Sequence, residues 1–162
     1  MADPKFERNI QLGLLDRLLD AEPENTREAP MTRAESLRLF RQAVKRDLEF
    51  LLNTVQLPLE IPEGCPEARK SILKFGLPDV SSMSVQSPED EQTLLASIQA
   101  AIEFFEPRLA RARVTNKDAF NSTRQSITFH VEAMLMIDPA PERIAFDTVL
   151  EISKGAYSVK DN

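Results

Sequence analysis

The spacing of apolar residues changes once along this chain, from a helical period to a strand period. In residues 37–52 and 94–105, apolar side chains recur every three or four positions, as they do on one face of an α-helix. Between residues 109 and 159 they alternate with polar ones, as in half-buried strands. Short connections between consecutive strands favour antiparallel hairpins. The pattern therefore predicts an α+β fold, with N-terminal helices packed on one face of a small, mainly antiparallel C-terminal sheet.

Two long helices are predicted with defined ends. Thr32 followed by Glu35 is a capping-box pattern, in which each side chain satisfies a backbone N–H at the start of a helix. The helix that begins there should end near Asn53. A second long helix is expected between Ser87, a favourable N-cap, and Pro107, which lacks the backbone N–H that a helix needs.

The remaining predicted elements are shorter. A helix around residues 68–75 should stop at Gly76, because glycine readily ends a helix. Alternation predicts four strands, at residues 109–114, 126–136, 143–152 and 156–159. In the first strand, the pattern places Ala110, Ala112 and Val114 on one face and Leu109, Arg111 and Arg113 on the other.

The chain has the length of one domain, at 162 residues. Residues 1–31 are predicted to form an N-terminal helical segment and linker, and residues 32–162 a single α+β domain. Apolar residues of the first segment share one helical stripe: Phe6, Ile10, Leu14, Leu15, Leu18 and Leu19. The stripe packs back on its own domain or docks on a partner, and the spacing favours neither. Four of its leucines are the candidate docking residues: Leu14, Leu15, Leu18 and Leu19.

Composition narrows the class of function. A net charge of -6 and a pI near 4.9 oppose general attraction to nucleic acid or anionic lipid. The single cysteine, Cys65, cannot form an internal disulfide, and the N-terminal residues lack the pattern of a signal peptide, which favours the cytoplasm. No apolar run approaches the roughly 20 residues that cross a bilayer. Membrane association is therefore expected only indirectly, through a partner.

The residues available for chemistry are few. His130, the only histidine, falls in mid-strand on the polar face, where we expect it to face solvent. Neither it nor Cys65 belongs to a nucleophile or metal-ligand motif, and the four glycines are isolated from each other. Pairs of acidic residues could serve a glycosidase, but sugar clefts usually present aromatic platforms, and this chain has no Trp and one Tyr. No catalytic residue, cofactor or metal ion is predicted.

One short segment has the composition of an interaction motif. Glu106, Pro107 and Arg108 follow the second long helix, where a carboxylate lies against the negative end of the helix dipole and should seek a positive partner. In an extended chain Glu106 and Arg108 project to the same side. They could form a local ion pair, shape a rigid corner, or present both charges to a neighbouring chain, with Pro107 limiting the entropy lost on binding.

Five blocks of the sequence, in order, resemble those of the TssE family of type VI secretion baseplate proteins. They are Leu14–Leu18, Arg46–Thr54, Phe75–Asp79, the Glu-Pro-Arg block Phe105–Leu109, and Phe146–Glu151 with Gly155–Tyr157. Together they span nearly the whole chain, and their combination is specific although each block alone is weak. TssE proteins are similar to the phage-tail wedge subunits that were labelled lysozyme-like.

The resemblance implies a structural role. Such a subunit joins a wedge with TssF and TssG, is bound also by TssK, and lies in a cytoplasmic baseplate at the inner membrane. It nucleates the contractile TssB–TssC sheath, with its C-terminal strands continuing the strand pairing of the sheath. By the same resemblance, Glu106 and Arg108 belong to the family motif, and the leucines from Leu14 to Leu19 form a wedge-docking element.

Two other functions remain open from the sequence. A peptidoglycan-cleaving enzyme is suggested by the lysozyme-like label. A stand-alone regulatory binding protein is suggested by a related small family of anti-adaptors that carries the same Glu-Pro-Arg block.

Overall fold

The computed structural model describes residues 10–18, 31–79, 87–117, 126–151 and 156–161. Its helices are α1 (Leu14–Leu18), α2 (Arg33–Asn53) and α3 (Pro88–Phe105), with 3-10 turns at Pro66–Lys70 and Ile72–Lys74. Its strands are β1 (Leu109–Asn116), β2 (Ser126–Leu135), β3 (Glu142–Glu151) and β4 (Ala156–Asp161). The strands pair in the order β1-β2-β3-β4, each antiparallel to the next. The predicted α+β fold is confirmed.

The two long helices begin where their caps predict. The hydroxyl of Thr32 accepts a hydrogen bond from the N–H of Glu35 at 3.3 Å, and the hydroxyl of Ser87 accepts one from the N–H of Asp90 at 3.2 Å. Helix α3 stops at Phe105, two residues before the proline. The local signals therefore predict both helix starts and the end of α3 correctly. The predicted end of α2 at Asn53 also agrees with the structure.

The segment before Gly76 differs from the prediction. It forms two 3-10 turns instead of one short helix, because Ser71 between them has an extended backbone, with ψ of 177°, and its hydroxyl accepts from the N–H of Leu73 at 3.3 Å. Gly76 has φ of +103°, and a Cβ there would meet the carbonyl oxygen of Thr54 at 2.2 Å. Only glycine fits this position.

The facing of β1 was also predicted incorrectly. A bulge between Ala110 and Arg113 shifts the register with β2, and Arg111 adopts φ of +55°. The extra residue reverses the alternation, so Leu109 points into the core together with Ala112 and Val114. Sequence alternation alone placed Leu109 on the opposite face.

The core lies between the sheet and the two long helices. Helix α3 packs on β1, and α2 packs along β4. Phe129 and Phe146, on the two central strands, are the largest fully buried side chains. Side chains of the same strands that point the other way, such as His130, lie on the outer face of the sheet and are partly exposed.

Candidate interaction surfaces

At the corner between α3 and β1, Glu106 and Arg108 pair with each other. Glu106 is only 4% exposed, and Arg108 engages both of its carboxylate oxygens, through Nε to Oε1 at 2.6 Å and through Nη2 to Oε2. The backbone N–H of Arg108 also donates to Oε1 at 3.2 Å. The guanidinium lies over the ring of Phe40 at 5.8 Å. The local ion pair is thus formed, whereas a role for Glu106, Pro107 and Arg108 in binding another chain stays a prediction.

Arg108 is also the end of a longer chain of charges. Its Nη2 contacts Oδ2 of Asp47 at 2.7 Å, and Oδ1 of Asp47 accepts from Arg46 at 2.7 and 2.9 Å. Arg46 in turn contacts Oδ1 of Asp16 at 2.8 Å. We call these five residues, Asp16, Arg46, Asp47, Arg108 and Glu106, the ion-pair chain. It ties α1, α2 and the corner together.

Hydrogen bonding by the carboxylates raises the pKa of both arginines. For Arg108 the main cause is Glu106, opposed by burial and reinforced by Asp47. For Arg46 the main cause is Asp47, followed by Asp16. Both guanidinium groups therefore stay charged in the folded protein, and the signs of the ion-pair chain alternate without interruption.

No local sequence pattern indicates that Asp16, Arg46 and Asp47 meet the corner. The three residues belong to the first two blocks of the TssE resemblance, which was the only available signal. Asp47 and Arg108 are 61 positions apart, and no local pattern joins them.

The N-terminal segment divides its apolar residues between two environments. Ile10 and Leu12 pack against the core, and the N–H of Ile10 donates to the hydroxyl of Ser36 at 3.2 Å. In contrast, three of the candidate docking leucines of α1 are largely exposed: Leu14 at 74%, Leu15 at 61% and Leu18 at 72%. Leu19, Phe6 and most of the predicted linker lie outside the described residues. The docking role of these leucines, and the division at residue 31, stay predictions.

A row of four phenylalanine rings joins the ends of α2 and α3. Phe50 lies 5.7 Å from Phe75, Phe75 lies 5.1 Å from Phe105, and Phe105 lies 4.7 Å from Phe104, measured between ring centroids. Phe50 is 68% exposed and Phe104 47% exposed. The two ends of this aromatic row therefore face solvent.

Along β4, side chains of α2 form hydrogen bonds with the backbone groups at the sheet edge. Nδ2 of Asn53 donates to the carbonyl of Tyr157 at 2.9 Å, and the N–H of Tyr157 donates to Oδ1 of Asn53 at 2.8 Å. One helical turn earlier, Oε1 of Glu49 accepts from the N–H of Val159 at 2.8 Å. The amide of Asn53 thus makes the two bonds that a neighbouring strand would make. We call this stretch the closed edge.

Among the described residues, β4 pairs with part of β3: Asp161 lies opposite Phe146, whereas β3 begins at Glu142. Residues 142–145 of β3 pair with β2 on their other side. A groove of about 420 Å³ lies between this stretch and α2. It is lined by Ala34, Leu37, Arg38, Arg41, Gln42, Arg143, Ile144 and Ala145.

The outer face of the sheet carries a second group of charges. Oδ2 of Asp147 contacts Nζ of Lys117 at 2.7 Å, and Oδ1 of Asp147 contacts Nδ1 of His130 at 2.8 Å. Glu132 contacts Arg143 at 2.8 Å and Nε2 of His130 at 3.5 Å. The Lys117 ammonium, then His130, lowers the pKa of Asp147, and Arg143 chiefly lowers that of Glu132. We call these five residues the outer-sheet cluster.

His130 is therefore paired with carboxylates, which refines the expectation of a solvent-facing side chain. Within residues 10–18, 31–79, 87–117, 126–151 and 156–161, no group of three or more His, Cys, Asp or Glu side chains is arranged to hold a metal ion. No helix in these ranges is long and apolar enough to cross a membrane.

The fold and these surfaces define a class of protein: a small α+β assembly subunit with exposed apolar side chains on α1 and at the ends of α2 and α3. The family model described as baseplate wedge protein gp25 matches residues 38–140, well over half of the 162 residues. The chain therefore belongs to the baseplate wedge protein gp25 family and is a structural subunit of a baseplate. The resemblance to baseplate wedge proteins that its sequence carries is confirmed.

A chain in a solved structure of "the baseplate complex from the type VI secretion system" has a TM-score of 0.48 and 15% sequence identity to this chain, over 69% of this chain and 94% of that chain. A search of curated proteins finds no match.

Proposed function

We propose that this chain is the wedge subunit of a type VI secretion baseplate, where it joins TssF, TssG and TssK and nucleates the TssB–TssC sheath. The observation that carries the proposal is the ion-pair chain. It links residues from three of the blocks that resemble TssE, at Asp16, at Arg46 and Asp47, and at Glu106 and Arg108. The resemblance relates these blocks only by their order in the sequence. In the structure, ion pairs join their side chains into one connected unit.

The exposed leucines of α1 are the proposed docking element for the wedge. Asp16 points inward to Arg46, and its exposed neighbours Leu14, Leu15 and Leu18 point away from the core. An apolar side chain that remains in water contributes little to folding, whereas burying it against a partner would favour binding by about 1.5 to 3 kcal/mol. The exposure of these leucines therefore supports a docking role, and the resemblance to TssE proteins makes the TssF–TssG wedge the proposed occupant.

Arg108 is the proposed interaction residue of the corner. Glu106 is buried and both of its oxygens are engaged, so only the guanidinium of Arg108, about a quarter exposed, can also reach a neighbouring chain. Pro107 is exposed on the same turn. In this proposal Glu106 positions Arg108, and Arg108 makes the contact.

Co-purification tests the wedge assignment. A tagged copy of this chain, expressed in a strain that lacks its own subunit, should recover TssF, TssG and TssK and restore assembly of the sheath. The double variant Leu14→Ser/Leu15→Ser should lose TssF–TssG, whereas Leu57→Ser, at another exposed leucine, should retain them. Failure of the unmodified chain to recover any of these proteins would reject the assignment.

We further propose that the subunit is not an enzyme and acts at the cytoplasmic side of the inner membrane. A general acid must release a proton toward its substrate, and a carboxylate held on both oxygens by Arg108 is poorly arranged to do so. Zymography on peptidoglycan should show no clearing. Clearing by the unmodified chain that is lost in Glu106→Gln would establish the lysozyme-like alternative instead.

The anti-adaptor alternative predicts different partners. Such a protein would be recovered with a component of regulated proteolysis and without wedge or sheath proteins. The proteins recovered in the same co-purification therefore decide between the two roles.

A further inference from the structure

A second surface of exposed apolar side chains lies around the C-terminal ends of α2 and α3. The aromatic row crosses it from Phe50 to Phe104. Beside this row, residues 54–59 lie next to residues 72–77, to which an isolated parallel bridge joins them. Of the twelve exposed large apolar side chains in the described ranges, seven lie on these elements: Phe50, Val55, Leu57, Leu59, Ile72, Leu73 and Phe104. We call these seven residues the apolar face.

Hydrogen bonds hold the two segments of the apolar face together. The N–H of Gln56 donates to the carbonyl of Leu77 at 2.8 Å, and the N–H of Leu77 donates to the carbonyl of Thr54 at 2.9 Å. The side-chain amide of Gln56 donates to the carbonyl of Lys74 at 2.7 Å, and Nζ of Lys74 donates to the carbonyl of Leu59 at 3.2 Å. These bonds fix the backbone beneath the exposed side chains, so the face would lose little conformational entropy on binding.

The size of the apolar face matches one side of a protein–protein interface. Its seven residues are 40% to 83% exposed, and together they present on the order of 700 Å² of surface. The largest apolar patch of a typical monomer measures about 300 to 600 Å². Each partner in a stable complex of standard size buries about 800 Å². The face is therefore larger than a monomer usually leaves in water and close to what one copy contributes to a stable dimer.

The local charge favours a second copy of the chain as the occupant. The net charge of the whole chain is -6, which opposes contact between most faces of two copies. Residues 54–79, in contrast, contain four acidic and three basic residues, so two copies repel each other least here. A two-fold axis can also place an acid of one copy beside a base of the other. Exposed side chains of both signs are available in this segment: Glu60, Glu63, Glu67 and Lys70.

We propose that two copies of the free chain pair through their apolar faces about a two-fold axis. Such an interface uses the same patch on both copies, so association stops at the dimer. Removal of the apolar face from water stabilises the pair. The leucines of α1 take no part in this contact, and the inference is therefore independent of the proposed wedge docking.

Sedimentation of the full chain in the analytical ultracentrifuge tests the proposal. The mass should rise with concentration from the 18.3 kDa of one chain to twice that value. An interface of this size should give a dissociation constant of about 1 µM or below. Added salt should strengthen the dimer or leave it unchanged, because salt screens the repulsion between two acidic copies and does not weaken apolar contact.

Two matched double variants locate the interface. Leu57→Ser/Ile72→Ser should weaken the dimer by about tenfold or more, since each substitution removes apolar area from both copies. Both side chains are more than half exposed, so the fold should be retained, and thermal melting checks this. Leu14→Ser/Leu15→Ser, which removes two exposed leucines of α1, should dimerise like the unmodified chain.

The single cysteine gives a second measurement that needs no substitution. Cys65 is exposed and lies in the same segment as the apolar face, between Leu59 and Ile72. A spin label on Cys65 should give a short, defined distance between the two labels of a dimer in electron double resonance. Pairing through another side of the molecule would separate the two labels widely and would contradict the proposal.

Several other results would overturn the proposal. They are a single-chain mass up to about 100 µM, where a micromolar dimer is almost fully formed, a dimer that salt weakens, growth beyond two copies, an unchanged dimer in a folded Leu57→Ser/Ile72→Ser, and loss of the dimer in Leu14→Ser/Leu15→Ser. A monomeric chain that recovers TssF–TssG only when Leu57 and Ile72 are intact would make a wedge protein the occupant.

The two proposals fail separately. Recovery of wedge proteins by a chain that stays monomeric rejects the dimer alone. Formation of the dimer without recovery of any wedge or sheath protein rejects the proposed baseplate function alone.

Discussion

The molecule carries two groups of five charged or titratable residues that have a similar composition but lie in different surroundings. The ion-pair chain and the outer-sheet cluster each mix acids with bases, and most of their ion pairs are at 2.7 to 2.8 Å. However, the side chain of Glu106 in the first is 5% exposed, whereas that of Arg143 in the second is 72% exposed. We therefore expect burial, and not the contact distance, to determine how much each ion pair contributes to stability.

The physical reason is desolvation. A carboxylate that has lost its water depends on its partner, so removing that partner leaves an uncompensated buried charge. An exposed carboxylate that loses its partner is solvated again, and the net change is small. We therefore expect the ion-pair chain to stabilise the corner and the outer-sheet cluster to contribute little to stability.

The largest effect should come from Arg108. Arg108→Met is expected to reduce the free energy of unfolding by about 3 to 5 kcal/mol, because it strands the buried carboxylate of Glu106. Urea denaturation measures the loss. The double variant Glu106→Leu/Arg108→Met should recover most of it, since no charge is then buried alone. A loss below about 1 kcal/mol in the single variant would show that the corner is solvated in the free protein.

The other end of the ion-pair chain should respond less. Asp16→Ala is expected to cost about 1 kcal/mol, because Asp16 is mostly buried but its partner Arg46 is nearly half exposed. Amide hydrogen exchange should show faster exchange in α1, since Asp16 is the link from α1 to Arg46. Arg17→Ala, at an exposed neighbour, is the matched control and should not change the exchange. Equal exchange in both variants would mean that Ile10 and Leu12 alone hold the segment.

Substitutions in the outer-sheet cluster should have little effect on stability. Asp147→Asn is expected to change stability by about 0.5 kcal/mol: the Asp147 side chain is 19% exposed, but Lys117 is half exposed, and asparagine keeps the size and an acceptor oxygen of aspartate. The same urea measurement applies, and Lys117→Ala should give a similar small value. A cost comparable to that of Arg108→Met would remove the distinction between the two groups of charges.

The smallest effect is the pH dependence of that contribution. The pKa of Asp147 is lowered in the folded protein, mainly by Lys117 and then by His130. Its stabilising contribution is thus fully present above the unfolded-state pKa of about 3.9 and is lost as pH falls through the lowered folded-state pKa. The stability difference between the unmodified chain and Asp147→Asn should therefore shrink on acidification. A difference that stays constant down to low pH would assign it to packing and not to charge.

Much of the fold follows from local sequence. The caps at Thr32 and Ser87 set where α2 and α3 begin, and alternation finds all four strands. These signals are reliable because each one depends on residues within one or two turns of helix, or within one strand. The Glu106-Pro107-Arg108 corner is recognisable for the same reason, since its ion pair joins residues two positions apart.

The tertiary structure decided what the local signals could not. The bulge at Arg111 exchanged the faces of Leu109 and its neighbours, because β1 must match its partner strand and the core. Pairing of Asp47 with Arg108 spans 61 positions, and capping of Tyr157 by Asn53 spans 104. The register between β3 and β4 places Asp161 opposite Phe146, which no local pattern predicts. Sequence determined the elements from their local energetics, whereas contacts between distant residues determined which charges are buried and which backbone groups of β4 are bound by side chains of α2.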